Sequence, residues 1–165
     1  MVIRLTFIVI LIFGSFEAAL ADRYFYLTNA NFLPDQAKTA CGSGYHMASL
    51  WEILDVSALS YDHNHVGAHK KDDSGDGPPS YWYGWVRTGQ SASVSNAAGT
   101  GNCQNWTSRN GGDYGTLVRL SRTWETAPGN IFTWEATSFV CSTIGPVWCV
   151  KDVYYIYLPI ILKNI

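Results

Sequence analysis

Basic residues are scarce in this sequence, and their scarcity limits the partners that it can attract by charge. The 165 residues include 11 lysines and arginines against 13 aspartates and glutamates, which gives a net charge of −2 at pH 7. A surface that binds nucleic acid needs clustered basic residues, and the one basic pair, Lys70-Lys71, is closely followed by three aspartates. We therefore expect no nucleic acid among the partners.

The short motifs of common enzyme classes are also missing. The sequence contains neither G-x-S-x-G nor H-E-x-x-H, and it has no glycine-rich loop with the spacing of a phosphate-binding site. Glu52, Glu125 and Glu135 have no fixed separation that would make two of them the carboxylate pair of a glycoside hydrolase. We predict that the protein is not an enzyme, and a secreted hydrolase with an unrecognised site is an alternative.

The four cysteines, Cys41, Cys103, Cys141 and Cys149, do not have the spacing of zinc ligands. None of the intervals is the C-x2-C of a zinc knuckle, which disfavours a four-cysteine zinc site. In an exported chain, four cysteines favour two disulfide bonds, and three pairings are possible.

No apolar run is long enough to span a bilayer well, but the N-terminus has the pattern of a secretory signal. Arg4 precedes the apolar run Leu5 to Phe13, and Ala19-Leu20-Ala21 forms an A-x-A cleavage site. We predict a signal peptide over residues 1–21, cleaved before Asp22, and a secreted or cell-surface location. The alternative is that the segment is retained as an anchor.

The last residues of the chain, 154–165, are apolar on both sides of Pro159. They are too few to cross a membrane as a helix. They are either a final strand that completes a sheet or a tag for export or surface retention, because the text Y-L-P-I-I-L-K resembles short tails on secreted proteins of some bacteria.

The chain between these ends, residues 22–153, contains signals for helices and strands that favour one mixed α+β domain. Pro34 suits the first turn of a helix, and Gly42 suits its end. Ser49 and Glu52 have the S-x-x-E spacing of a capping box, which predicts a second helix over 50–59 after a short extended segment.

Strands are expected where β-branched and aromatic residues cluster. Arg23–Thr28 is apolar on both faces, so we predict an internal strand there. The other predicted strands are Tyr81–Arg87, Thr116–Leu120, Asn130–Trp134 and Val147–Val150. Residues 61–80 and 88–102 are predicted loops because they are polar and rich in glycine.

Three motifs follow one another in a recognisable order. The first is the helix before Cys41, followed by the sequence G-x-G-Y-H-M-A-S-L-W-E-I. The second is Trp82-Tyr83-Gly84-Trp85. The third is a closing run made of Cys103, Trp106, Trp134, Cys141 and Val147-Trp148-Cys149-Val150. Together they resemble the first and second helices, the central W-I-G-L strand and the closing C…W…C…C run of a C-type-lectin-like domain.

The resemblance covers residues 23–152 and is closest to the divergent branch that includes the endostatin-type ends of collagens and several bacterial secreted domains. It implies an α+β fold in which two helices pack on a small, mostly antiparallel sheet with long loops. It also implies nested disulfides, Cys41 with Cys149 and Cys103 with Cys141. In that fold the positions of four tryptophans lie in the core: Trp51, Trp82, Trp134 and Trp148.

The residues that hold calcium and sugar in this family do not recur. Neither E-P-N nor Q-P-D occurs, and Trp134-Glu135-Ala136 stands where W-N-D would lie, so that Ala136 supplies no ligand. We therefore do not expect sugar binding by the usual calcium route.

Two loop segments contain candidate metal ligands. Asp72, Ser74 and Asp76 place oxygen atoms at alternate positions before a glycine, as in a calcium loop, although a solvated acidic turn has the same pattern. A transition-metal site, or simply a polar loop, is suggested by Asp62, His63, His65 and His69. His46 is predicted to be structural. We expect no cofactor other than calcium.

Aromatic residues make up 15% of the chain; most of them should fill the core, and those beside the predicted loops either fill the core as well or contact a ligand. The candidates beside the predicted loops are Tyr81, Tyr83, Trp85 and Arg87. The predicted function is a secreted, non-catalytic recognition module that binds an extracellular glycan or protein. A structural or adhesive component of the cell surface is the alternative.

Overall fold

A computed structural model describes residues 23–54, 58–69, 78–79, 82–88, 101–120 and 134–153. One sheet has four strands: β1 Arg23–Leu27, β2 Tyr45–Met47, β3 Leu59–Tyr61 and β7 Trp148–Lys151. Their order in the sheet is β2-β7-β1-β3. β1 lies between β7 and β3, so the prediction of an internal first strand is confirmed.

A second, antiparallel sheet has the order β4-β5-β6. Its strands are β4 Gly84–Trp85, β5 Tyr114–Leu120 and β6 Trp134–Val140. Residues 130–133 of one predicted strand lie outside the described residues, and its last residue, Trp134, begins β6 instead. Most of β6 was not predicted because Glu135, Ala136 and Ser138 have low strand propensity, whereas pairing along all of β5 holds it extended.

The helices are short: α1 Pro34–Ala37, α2 Leu50–Ile53 and α3 Cys103–Trp106. The predicted capping box of α2 is confirmed, but the predicted lengths of both helices are wrong. Leu59 pairs with Arg23 in the parallel ladder of β1 and β3, which ends any helix before that position. Cys41 lies beyond α1 because its disulfide ties it to Cys149 in β7.

The two sheets meet at Trp148, which is fully buried. Its indole N–H donates a hydrogen bond of 2.9 Å to the carbonyl oxygen of Val118 in β5. Phe25 packs against the Trp148 ring at 5.9 Å between centroids, and Trp134 packs against it at 5.2 Å. Aromatic residues from both sheets therefore pack against one another in the common core. The architecture is mixed α+β, mostly sheet, with mainly antiparallel pairing.

Two disulfide bonds connect parts of the fold that are far apart in the sequence. Cys41 is bonded to Cys149 and Cys103 to Cys141, which are the pairs that the resemblance implies. The predicted signal peptide and the C-terminal segment 154–165 lie outside the described residues. In the part of the chain that the structure does describe, no helix has the length and apolar character needed to cross a membrane.

The segment named α3 is a left-handed turn. Cys103, Gln104, Asn105 and Trp106 have φ angles of 47°, 55°, 57° and 61°, and none of them is glycine. Left-handed backbone costs an L-residue roughly 1–2 kcal/mol. The turn is held by the Cys103–Cys141 disulfide and by burial of Trp106, whose ring packs against Trp85 at 5.8 Å between centroids.

Candidate functional site

The predicted contact residues do not form one surface. The prediction that Trp85 contacts a ligand is wrong, because this residue is fully buried. It lies in β4, where it pairs with β5, and Gly145 packs against its ring. Tyr83 is half-buried, with the Arg119 guanidinium 4.6 Å from its ring centre. Arg87 is partly exposed and lies beside α2. Tyr81 lies outside the described residues.

Of the four tryptophans expected in the core, two lie at least partly inside it and two are exposed. Trp148 is buried and Trp134 is partly buried, as predicted. Trp51 is 76% exposed and Trp82 is 46% exposed, so the core prediction is wrong for both. A signal for Trp51 was present in the sequence, because Leu50 and Ile53 are three residues apart on the inner face of α2 and Trp51 is turned about 100° away from that face.

The backbone of α2 is fixed at three points around the exposed Trp51. The Leu50 N–H donates to the Arg87 carbonyl oxygen at 2.8 Å. The Trp134 indole N–H donates to the Ile53 carbonyl oxygen at 2.6 Å. The Ser49 backbone N–H and hydroxyl both donate to Glu52 Oε2, at 2.9 and 2.7 Å. The exposed side chains of Trp51 and Leu54, here called the Trp51 surface, therefore stand on a rigid support.

Glu52 also contacts charged or titratable side chains from three other parts of the chain. Arg23 NH2 lies 3.1 Å from Glu52 Oε1, and Arg87 NH2 lies 3.6 Å from Glu52 Oε2. His46 Nε2 lies 2.7 Å from Glu52 Oε1. On its other side, His46 Nδ1 lies 2.6 Å from Asp152 Oδ1, just after β7. We call Arg23, His46, Ser49, Glu52, Arg87 and Asp152 the Glu52 cluster.

The prediction that His46 is structural agrees with these contacts, because both of its ring nitrogens face carboxylates of the fold. Asp152 could not be identified as its partner from the sequence, since the two residues are 106 positions apart.

The environment of Glu52 favours its ionised form. Burial alone raises the pKa of Glu52, but hydrogen bonds from the Ser49 backbone and hydroxyl, together with the hydrogen bond and charge of His46, outweigh burial and lower it to about 2. A carboxyl group with so low a pKa stays charged at neutral pH and is poorly suited to transfer protons there. Its chemistry is that of an ion-pair partner.

This low pKa predicts how stability depends on acid. Because the folded-state pKa of Glu52 lies near 2 and the ordinary value is 4.5, its contribution is complete above pH 4.5 and is lost as the pH falls towards 2. The difference between these two pKa values corresponds to roughly 3 kcal/mol of unfolding free energy. Urea unfolding between pH 6 and pH 2.5 measures it. Glu52→Gln should show a shallower loss than the wild type, and equal slopes would contradict the prediction.

The histidines of the predicted transition-metal site are not brought together. The Asp62 carboxylate accepts a hydrogen bond of 2.6 Å from the Tyr45 hydroxyl. His65 stacks on Tyr26 at 4.0 Å between ring centroids, and His69 packs against Trp82 at 4.4 Å. Within the described ranges, no group of three or more histidine, cysteine, aspartate or glutamate side chains is arranged to hold a metal ion. The calcium candidates Asp72, Ser74 and Asp76 lie outside those ranges.

The tyrosines around Asp62 behave as buried hydrogen-bonding groups. Burial raises the pKa of Tyr45, and both the hydrogen bond to Asp62 and its charge raise it further. Burial likewise raises the pKa of Tyr61 to about 12, against a hydrogen bond from the Leu27 backbone that lowers it. These hydroxyls therefore keep their protons and serve to fasten the turn at 62–69 to the sheet.

No protein-family model, no curated protein and no solved structure matches the chain.

Proposed function

We propose that this protein is an exported recognition module that binds an extracellular glycan or protein through the Trp51 surface. The observation that carries the proposal is the 76% exposure of Trp51 on a helix whose backbone is fixed by its neighbours. Tryptophan is prominent among the residues that dominate binding energy, and a rigid support reduces the entropy lost on binding. An exposed tryptophan in such a place suits a ligand contact.

The neighbouring polar groups suit recognition better than catalysis. The Ser49 hydroxyl donates to Glu52, and the low pKa of this carboxyl group makes it a weak base for activating a nucleophile. The ring nitrogens of His46 are both engaged by carboxylates. Arg87 retains a partly exposed guanidinium beside Glu52 of α2, which gives a ligand a charged donor there. These features support binding over the hydrolase alternative.

The experiment is a binding screen of the oxidised chain without residues 1–21, on arrays of glycans and of extracellular proteins, run once with calcium and once with chelator. We expect Trp51→Ala to raise the dissociation constant of any ligand found by at least about tenfold, because it removes the principal contact. Trp82→Ala is the matched control, since it truncates another exposed tryptophan, which packs against His69 rather than standing on α2.

A ligand bound equally by wild type and Trp51→Ala would contradict the assignment of the surface. Binding only in calcium would direct attention to the segment with Asp72, Ser74 and Asp76. No ligand on either array, with correctly folded protein, would contradict the recognition function and favour a structural or adhesive surface role.

A further inference from the structure

The side chain of His46 links α2 to the segment that follows β7, in addition to the main-chain pairing of β2 with β7. Its Nε2 reaches Glu52 on α2, and its Nδ1 reaches Asp152 after β7. An ionised carboxylate can only accept hydrogen bonds, and both ring nitrogens of histidine can donate only when the ring is protonated. A neutral ring donates from one nitrogen and turns a lone pair towards the other carboxylate. The bridge is therefore complete only in the imidazolium form.

The charged groups around this bridge, among the described residues, come from every element packed against it. They are Arg23 of β1, Glu52 of α2, Arg87 after β4 and Asp152 after β7. The two arginines stay charged over the whole neutral range. They balance Glu52, whereas within the described residues the side-chain partner of Asp152 is His46. Of these residues, histidine is the type that changes charge between pH 5 and pH 8.

We propose that His46 is a proton-dependent latch that fastens α2, and with it the Trp51 surface, to the end of β7. When the ring loses its proton, one of the two carboxylates loses its donor and faces a lone pair, and the element that carries this carboxylate opens more often. The effect on ligand binding rests on the proposed function. The latch itself is observable without any ligand.

Hydrogen exchange of backbone amides measures the latch directly. The informative amides are Leu54, which donates to the Leu50 carbonyl oxygen at 3.0 Å, and Asp152, which donates to the Gly44 carbonyl oxygen at 2.8 Å. After correction for the intrinsic effect of pH on exchange, we expect protection of at least one of them to fall about tenfold from pH 5.5 to pH 8. Loss of one charge-assisted hydrogen bond is sufficient for this.

His46→Gln is the test variant, because an amide keeps one donor but cannot be protonated. It should show low protection at both pH values. His63→Gln is the matched control: it replaces an exposed histidine in the turn after β3 and should keep the pH effect. Nitrogen NMR of the wild type should find both His46 ring nitrogens protonated at pH 5.5. The same pH effect in His46→Gln, or no effect in the wild type, would overturn the proposal.

The ligand arm separates this inference from the proposed function. If a ligand found on the arrays depends on Trp51, its affinity should be higher at pH 5.5 than at pH 8 in the wild type and independent of pH in His46→Gln. A latch seen by exchange without any Trp51-dependent ligand would leave the latch standing and contradict the proposed function. A Trp51-dependent ligand without the exchange effect would support the proposed function and contradict the latch.

Discussion

Replacing both Cys41 and Cys149 by alanine should lower the free energy of unfolding by about 4–5 kcal/mol. The bond links positions 108 residues apart, so its loss frees a very long loop in the unfolded chain. It also releases the segment after α1 from β7, the strand that pairs with both β1 and β2. Urea unfolding of wild type and variant, both under non-reducing conditions, measures the difference.

The matched control is the double replacement of Cys103 and Cys141 by alanine. This bond spans 38 positions, for which the same argument gives roughly 4 kcal/mol. Its removal also lets the left-handed turn at α3 relax, which offsets part of the loss. We therefore expect the control to be the less destabilised of the two. The opposite order would contradict the account of either the loop or the turn.

Gly115→Ala should destabilise the protein by about 3 kcal/mol or more, which is at the upper end for overpacked cores. A Cβ at this position would lie 2.6 Å from the Cys103 sulfur and 2.8 Å from the Trp85 ring. Neither neighbour can easily move, because one is held in a disulfide and the other is fully buried. Thermal and urea unfolding measure the loss.

Gly112→Ala is the control for this substitution. It lies near the start of the same strand, and the nearest atom to its added Cβ is the Asn110 side-chain oxygen at 3.7 Å, an ordinary contact. We expect a change within about 0.5 kcal/mol, as for most surface substitutions. A small effect at Gly115 as well would mean that the packing of β5 against the Cys103–Cys141 bond is looser than the structure has it.

Local signals in the sequence were reliable where the interacting residues lie within a few positions of each other. The capping box of Ser49 and Glu52 lies within a single turn, so the start of α2 was predicted correctly. The internal position of β1 followed from its two apolar faces. The predicted helix ends were wrong, because β3 and the Cys41–Cys149 bond are set by distant partners that override helical periodicity.

The candidate site shows the same limit. The resemblance predicted that Trp51 and Trp82 are buried, and the neighbouring loops suggested that Trp85 contacts a ligand. All three predictions were wrong. Whether a tryptophan is buried depends on what the rest of the chain lays against it. Gly145 approaches Trp85 from 60 positions away, and within the described residues nothing comparable covers Trp51.

The sequence by itself therefore determined the mixed α+β class, the internal first strand and the capped start of α2, since residues a few positions apart carry these features. Only the tertiary structure decided which tryptophan faces solvent and which charges meet. His46 acquires its two carboxylates because β2 pairs with β7 and α2 folds over the same sheet. Contacts between residues 106 positions apart leave no periodic trace in a sequence, because they depend on how whole strands are paired.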